Sequence, residues 1–512
     1  SVSSRAAQAL RRRGVEVVHA REDGRFASPV AGRIRDLART PDLLRLAPEA
    51  ELLLNLAREA QLVAEVIEPA LRRGACVITD RTSYSHVALA RHVRGLSSPE
   101  IDAAASLALR GRRPDRVFLI DVDPDVARWR RRLRKLREAR SSESGRKGLL
   151  GEALASLGRR AFLELAADGG WTVVDNTWRT LDDTVRAVMD ALDGRGPAGP
   201  GPDGFRPDPD DLVGSYLDFL SRIGDRGLAG MLAAGLEDPR AEAIRRAAPP
   251  DVGAYAVTGL DTAEAWALRD AARTEAPAAA ARSLAGLAGP RADAMRDELA
   301  PVVPEAVLQS LAGDPTAAAA EMRDRLFGRH ADEAVRSVRG LDDPPAWSLR
   351  RRAGPSPAVA ESLAGVAGAP ADGLRAELRG AFPLPVLRGT RSIGTPEAWS
   401  LRRELAPWAP KAVLASIDGM DGTDAHALRA SLADRTPEEV AASLTGLDGP
   451  EAWRLREALA DAAPAGTIKS LRKVDPARAA PWVDRIAARH GERLRVAREA
   501  LQFRLRPGRV LR

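Results

Sequence analysis

A dipeptide recurs at a nearly constant interval through the second half of this 512-residue sequence. Leu-Arg or Met-Arg begins at positions 268, 295, 322, 349, 374, 401, 428 and 455, in steps of 27 residues with one step of 25. Prolines echo this interval at 277, 304, 357, 383, 410, 437 and 464, in steps of 26 or 27 residues with one gap of 53. Ser followed by an apolar residue occurs in step with them at 283, 310, 337, 362, 392, 416, 443 and 470. Three registers with one period indicate a tandem repeat.

The segment 446–471, GLDGPEAWRLREALADAAPAGTIKSL, shows what one repeat contains. We expect Asp448 to cap a first helix, with Glu451 completing a capping box, as Asp261 and Glu264 do earlier. Pro464 suits the first turn of a second helix. Two helices this short cannot bury an apolar face alone. The pattern therefore predicts an all-α solenoid of about eight to nine two-helix repeats with a period of 27 residues.

The arginine of the recurring dipeptide forms a ladder along such a stack. It could bind an acidic protein or nucleic acid, or it could pair locally with neighbours such as Asp270, Asp297, Asp324 and Glu457. We favour local pairing, because no aromatic residues accompany these arginines as a nucleic-acid platform requires. We therefore expect no nucleic-acid partner.

A Pro- and Gly-rich stretch, GRGPAGPGPDGFRPDPDD at 194–211, separates the repeats from a different kind of sequence. We expect an amino-terminal domain at 1–192, a linker at 193–212, the repeat solenoid at 213–481, and a basic capping helix and tail at 482–512.

Apolar runs in the amino-terminal part alternate with helical patterns. The predicted strands are VEVVH (15–19), ACVITD (75–80), RVFLIDVD (116–123) and WTVVD (171–175). Apolar residues at helical spacing predict an amphipathic helix over 50–73, with Leu53 and Leu71 on its apolar face. Continuous apolar strands that alternate with helices predict a parallel α/β sheet covered by helices on both faces.

Asp80 and Arg81 stand where the second predicted strand ends. Ligands of parallel sheets bind at the carboxyl ends of the strands. An arginine there offers a planar fork for phosphate, and the aspartate could orient it or hold a metal-bound water. The alternative is an Asp that caps the next helix beside a solvated Arg.

Composition excludes several classes of protein. No stretch approaches the ~18 apolar residues of a membrane span, so we expect no membrane association. A single cysteine, Cys76, cannot build a disulfide framework, which fits a cytoplasmic protein. His86 and His92 are six residues apart and do not form an i,i+4 zinc pair. The net charge of +7 does not by itself require an anionic partner.

The first 192 residues resemble the thymidylate kinases, which are P-loop nucleoside monophosphate kinases. ITDRTSYSHVALA (78–90) resembles the phosphate-site Asp-Arg motif of the family, and the run at 52–78 resembles the helix and strand before it. LIDVDPDVARWRRR (119–132) resembles the strand and basic helix that lead into a lid. The segment that closes the family's domain is resembled by LGRRAFLELAADGGWTVVD (157–175). The family's Arg-Glu-Pro-Gly-Gly segment is resembled by HAREDGR (19–25).

The phosphate-cradling motif of the family, G-x-x-x-x-G-K-[ST], does not occur in the sequence. SVSSRAAQALRRRG (1–14) resembles the helix that directly follows this motif. We therefore expect the fold of a P-loop kinase without its first strand and P-loop. We also expect the native protein to carry both upstream, since two inner strands would otherwise lack a neighbour.

The resemblance implies phosphoryl transfer from ATP with Mg²⁺, in which catalysis is mainly positioning and charge neutralisation. The implied catalytic residues are Asp80, which also organises the metal, with Arg81, Arg132 and Arg134. The implied acceptor-binding residues are Arg21, Arg58, Gln61, Arg81 and Ser85, and the implied donor-binding residues are Ser1, Arg140 and Arg146.

The sequence departs from the family at positions that face the acceptor. Glu59 stands where the family has an arginine, next to Arg58. Leu89 and Ala90 replace Tyr and Gln. These observations lead to two candidate functions. The first is a nucleotide kinase acting on dTMP or a related nucleotide, whose solenoid binds a protein partner or mediates self-association such as a homodimer. The alternative is a catalytically degenerate nucleotide-sensing scaffold whose repeats bind a partner.

Overall fold

The computed structural model describes residues 1–20, 28–39, 46–96, 99–137, 153–195, 204–208 and 210–505. It divides the chain into two compact units. The first contains Ser1–Ala127, Ser144–Gly148 and Glu152–Gly204, and the second contains Arg128–Glu143, Leu149–Gly151 and Phe205–Arg512.

The amino-terminal part alternates strands and helices, as the sequence predicts. Its strands are β1 (Val17–Ala20), β2 (Cys76–Thr79), β3 (Phe118–Asp121) and β4 (Thr172–Asp175). Its helices are α1 (Val2–Arg12), α2 (Pro29–Arg39), α3 (Pro48–Leu62), α4 (Glu68–Arg72), α5 (Ser83–Ala88), α6 (Pro99–Ala108), α7 (Pro124–Arg137), α8 (Ala153–Asp168) and α9 (Leu181–Leu192).

The four strands form two separate parallel pairs. β1 pairs with β2 in a register that sets Val17 opposite Cys76, and β3 pairs with β4 with Phe118 opposite Thr172. One continuous sheet is not formed by the described residues. This is the arrangement expected when no described strand lies between β2 and β3. Helix α1 contacts both β1 and β2, and its Val2 packs against Val174 of β4 and Ala187 and Val188 of α9.

The predicted helix at 50–73 is correct in place but wrong in two details. α3 continues through a π-helical turn, Val63–Ile67, into α4, so the helical phase changes midway. Leu53 and Leu71 are 59% and 40% exposed and do not belong to the buried face. The π turn holds one extra residue and rotates the next helical turn relative to α3, which a fixed spacing cannot anticipate.

The second unit is helical in all its described elements. Its helices are α10 (Leu212–Arg222), α11 (Arg226–Leu232), α12 (Pro239–Ala247), α13 (Pro250–Ala256), α14 (Ala263–Glu275), α15 (Pro277–Ser283), α16 (Pro290–Leu299), α17 (Pro304–Ser310), α18 (Ala317–Phe327), α19 (Ala331–Ser337), α20 (Pro344–Ala353), α21 (Pro357–Ser362), α22 (Ala369–Leu378), α23 (Pro383–Gly389), α24 (Pro396–Leu405), α25 (Pro410–Ser416), α26 (Thr423–Leu432), α27 (Pro437–Ser443), α28 (Pro450–Leu459), α29 (Pro464–Ser470), α30 (Pro476–His490) and α31 (Leu494–Leu505). Short helices alternate with longer ones from α11 to α29. Each short helix packs on the next short helix of the series.

The recurring arginines lie in the interior of this unit. Arg429, for example, is fully buried and donates to the carbonyls of Ile417 and Met420 and to the Ser443 hydroxyl. Burial lowers its pKa to about 10, which still leaves it charged at neutral pH. Each arginine therefore joins a preceding loop to the end of the following short helix through charge-assisted hydrogen bonds.

The expected local pairing of these arginines holds for Arg296 with Asp293 at 2.9 Å and for Arg375 with Asp372 at 2.7 Å. It is wrong for the carboxylates directly next to them in sequence. Asp270, Asp297 and Asp324 instead pair with Arg291, Arg325 and Arg352, each from the following helix pair. The adjacent carboxylates lie on the exposed side of their helices, whereas the recurring arginines point inward. Sequence proximity alone does not distinguish these two directions.

The predicted Asp448 cap is also wrong. Helix α28 is capped by Gly449 without a side-chain hydrogen bond, and Asp448 accepts from the Trp453 indole nitrogen at 2.7 Å. Asp261 similarly accepts from Trp266 at 2.6 Å, while Thr262 caps α14. A carboxylate one residue upstream of the cap lies within reach of the indole.

The repeat that begins at Leu374 has glycine in place of the recurring serine. Arg375 donates to the carbonyl of Gly389, which occupies the place of the repeat serine, so Ser392 is not the equivalent residue. A Cβ on Gly389 would lie 2.1 Å from the carbonyl oxygen of Ala360. Only glycine fits where two successive short helices approach this closely.

Across the described ranges of the chain, no helix combines the length and apolar character that crossing a membrane requires.

Candidate functional site

Asp80 and Arg81 follow β2 at its carboxyl end, as predicted. Both side chains are exposed, and Asp80 accepts a hydrogen bond from the Ser3 hydroxyl of α1 at 3.4 Å. Arg81 has a φ of 82°, a left-handed backbone conformation that non-glycine residues seldom adopt. Such strain persists only where the surrounding structure imposes it, and it concentrates at functional sites.

Helix α1 brings its first turn to the same edge. Ser1 caps the helix by accepting from the Ser4 amide at 3.3 Å. Because the first amides of a helix carry partial positive charge, this end of α1 favours an anion. Ser3, which sequence reasoning did not select, connects the α1 terminus to Asp80.

The carboxyl ends of β3 and β4 carry further acidic groups. Asp121 is buried and binds the guanidinium of Arg159 of α8 through two hydrogen bonds, at 2.8 and 2.7 Å. This contact raises the pKa of Arg159. Asp123 caps the first turn of α7, and Asp175 accepts from Thr177. The strand-end rule that selected Asp80 would also have found Asp121 and Asp175.

A shallow, solvent-open cleft lies beside α3 and α5. Glu51 and Arg94 form an ion pair at 2.7 Å in its wall. Leu89 and Ala90, which depart from the family pattern, also line this cleft, together with His86. The wall is therefore partly apolar at the positions where the family has Tyr and Gln.

Arg58 and Glu59 both reach His86 in the interior. The Arg58 guanidinium lies 2.9 Å from Nε2 of His86, and a Glu59 oxygen lies 3.8 Å from the same atom. All three residues are at most 7% exposed. Ser85 is also buried, in α5, and Gln61 donates to Glu65 one turn further along the helical segment.

The remaining predicted residues lie on α7 or at the amino terminus of α1, or fall outside the described residues. Arg132 and Arg134 are exposed on α7, and the Arg132 guanidinium lies 5.4 Å from the ring centre of Trp129 on the same helix. Arg21, Arg140 and Arg146 fall outside the described residues. The structure thus places Asp80 and Arg81 with the first turn of α1, and Arg58 and Ser85 near the cleft.

The side chains near Asp80 suit a magnesium ion that is held mainly by substrate phosphates and water, rather than by a cluster of protein ligands. In the part of the chain that the structure describes, no three His, Cys, Asp or Glu side chains form a cluster able to hold a metal. Mg²⁺ commonly keeps several waters and binds one or two carboxylates plus substrate phosphates. The exposed carboxylate of Asp80 suits that role.

Parallel strands with an Asp-Arg pair and a helix terminus at their carboxyl ends define a nucleotide-handling α/β domain. The family model for thymidylate kinase matches residues 1–188. A thymidylate kinase of Pseudomonas fluorescens strain SBW25 is 39% identical over 164 residues, which cover 31% of this chain and 72% of the relative. A thymidylate kinase of Syntrophotalea carbinolica is 37% identical over 162 residues, covering 32% of this chain and 74% of the relative. The chain belongs to the thymidylate kinase family, a family of phosphotransferases.

Proposed function

We propose that this protein transfers the γ-phosphoryl group of ATP to a nucleoside monophosphate, either dTMP or a related nucleotide. The observation that carries this proposal is the left-handed backbone at Arg81, an exposed arginine that directly follows the exposed carboxylate of Asp80 at the carboxyl end of β2. The thymidylate kinase relatives support the same reaction class.

The chain's own residues act mainly by positioning. The planar fork of Arg81 binds the acceptor phosphate in two-point fashion and neutralises charge on its oxygens. Asp80, held by Ser3, would organise the hydration shell of a magnesium ion that neutralises phosphate charge when bound. The amino end of α1, capped by Ser1, favours the donor phosphates.

Arg132 and Arg134 are the lid-side cations of the proposal, joined by Arg140 and Arg146. Arginines that meet a transferring phosphoryl group stabilise the charge that it develops in the transition state. Arg21, Arg58, Gln61 and Ser85 form the proposed acceptor side.

The proposed site offers fewer specific contacts to the base of the acceptor nucleotide than to its phosphate. Arg58 engages His86, Glu59 occupies the family's arginine position, and Leu89 and Ala90 provide apolar cleft wall. A site that loses hydrogen-bonding side chains discriminates less strongly among bases. We therefore propose acceptance of dTMP together with other monophosphates.

The second unit is proposed to be an α-solenoid with a 27-residue period that serves protein interaction. The series of short helices packed one on the next supports this architecture. Repeat arrays of this kind present extended surfaces suited to a protein partner.

One observation favours the second candidate, a nucleotide-sensing scaffold without turnover. Glu59 places a buried carboxylate where the family has a cation. This change weakens acceptor-phosphate binding through repulsion between like charges. Such a protein would bind nucleotide and report it through the helical unit.

The two candidates are separated by measuring turnover and binding on the full-length protein. A coupled ADP-release assay with Mg-ATP and each common nucleoside monophosphate should show turnover with dTMP or a related nucleotide. Arg81→Ala should lower kcat/KM by at least tenfold, since a charged hydrogen-bonding partner of the phosphate is lost.

Arg73→Ala is the matched control, because Arg73 is an exposed arginine just before β2. Its rate should equal that of the unaltered protein. Nucleotide binding by calorimetry without any turnover would establish the scaffold instead. Turnover unaffected by Arg81→Ala would contradict the role given to this residue.

A further inference from the structure

Helix α31 is buried on all of its faces although it is the last described helix. Its ten residues from Leu494 to Phe503 are all buried, and they include the charged residues Arg495, Arg498 and Glu499. A terminal repeat normally keeps a polar outer face toward solvent. A helix that is covered all round instead lies between other elements.

The elements that cover α31 include both ends of the helical unit, and the Arg498 guanidinium also lies 4.6 Å from the ring centre of Trp129 of α7. It packs on α29 and α30, which directly precede it, and also on α10, the first helix of the series. Arg498 donates to the carbonyl oxygens of Leu232 at 3.2 Å and Ala234 at 2.9 Å, at the end of α11. Gln502 also donates to Ala234, at 3.3 Å.

The opposite side of α31 is bound to the helix pairs just before it. Arg472, which follows α29, contacts both Glu499 and Gln502, and Arg495 pairs with Glu438 of α27 at 3.2 Å. A buried charge is expensive unless it is paired, so these contacts would be lost together if α31 were displaced. Gln502 thus binds both ends of the series through one side chain.

We infer that α31 closes the helical unit by joining its last helix pair to its first, through Arg498 and Gln502. A closed array leaves no apolar end for a second copy to extend. Disrupting the closure would expose the apolar faces of α10 and α29 and produce self-association.

The closure is tested by a distance measurement between spin labels on the full-length protein. Labels go on Arg222→Cys of α10 and Arg504→Cys of α31, both exposed, in a Cys76→Ser background. We expect one short, narrow distance distribution. A long or broad distance distribution overturns the inference, provided that circular dichroism shows the same helix content as in the unlabelled protein. The label sites leave Arg498 and Gln502 unchanged.

A second measurement examines the closing contacts themselves. Arg498→Met combined with Gln502→Leu should lengthen and broaden the distance distribution and give concentration-dependent oligomers by sedimentation. Arg485→Met is the matched control, since Arg485 is exposed on the neighbouring helix α30, and it should change neither result. An unchanged narrow distance in the double variant would show that these two residues do not hold the closure.

Discussion

Arg81 combines a functional side chain with an unfavourable backbone. Its φ of 82° places an L residue in the left-handed region, which costs roughly 1–2 kcal/mol. Glycine would adopt this conformation without the cost, but it has no guanidinium that could bind a phosphate. Under the proposed function, this cost is retained because an arginine at this point of the turn binds the acceptor phosphate.

Comparison of Arg81→Gly with Arg81→Ala isolates this strain. Both variants lose the guanidinium, but only glycine relaxes the backbone, so the glycine variant should be more stable than the alanine variant by about 1 kcal/mol. Urea denaturation of the first unit measures the difference. Equal stabilities, or a more stable alanine variant, would show that the conformation carries no such cost.

The buried arginines of the second unit show how a charge can serve as a structural link. The guanidinium of Arg456 donates to the carbonyls of Leu444 and Leu447 and to Ser470, and lies 4.9 Å from the ring centre of Trp453. Five donors in a fixed fork let one side chain satisfy several buried acceptors. A lysine would not supply this geometry.

Among the helices, the short helix α23 shows how a close approach between two helices determines which residue type fits. The repeat that contains α23 has the usual length of 27 residues, and Gly389 takes the place that serine holds in the other short helices that follow an arginine of the ladder. The carbonyl of Ala360 on α21 lies where a Cβ would stand. The approach of the two helices therefore excludes any side chain.

Gly389→Ala should lower the free energy of unfolding of the second unit by about 2 kcal/mol, because a methyl group is forced against backbone. Gly373→Ala is the matched control, since a Cβ at Gly373 in α22 would meet no atom within 4 Å. It should raise stability by about 0.5–1 kcal/mol. Chemical denaturation of both variants provides the comparison, and a neutral Gly389→Ala would contradict the packing argument.

The chain as a whole consists of two compact units that contain different kinds of polar groups. The first carries the strand-end carboxylates and the Asp80–Arg81 pair, and the second carries the arginine-linked helices. Because each has its own buried core, a single unfolding free energy does not describe the chain.

Thermal unfolding should therefore show two transitions, of which only one responds to nucleotide. Saturating dTMP should raise the midpoint of the first-unit transition by about 5–10 °C, since a ligand that binds only the folded state stabilises it. Differential scanning calorimetry measures both midpoints.

Two variants show which thermal transition belongs to which unit. Arg81→Ala should abolish the nucleotide-dependent shift, and Gly389→Ala should lower only the other midpoint. An equal nucleotide shift of both transitions would contradict the assignment of nucleotide binding to the first unit.

Local spacing in the chain was enough to predict the succession of strands and helices, the helical character of the second half, and the position of Asp80 and Arg81 at the end of β2. These features depend on where apolar runs recur and end. The direction of the recurring arginines, the partner of Asp448, the π turn after α3 and the burial of Arg58 with Glu59 and His86 emerged only from the folded chain. Each of these depends on which atoms distant segments bring within hydrogen-bonding reach. Residues far apart in sequence, such as Leu232 and Arg498, meet through packing that no local pattern encodes.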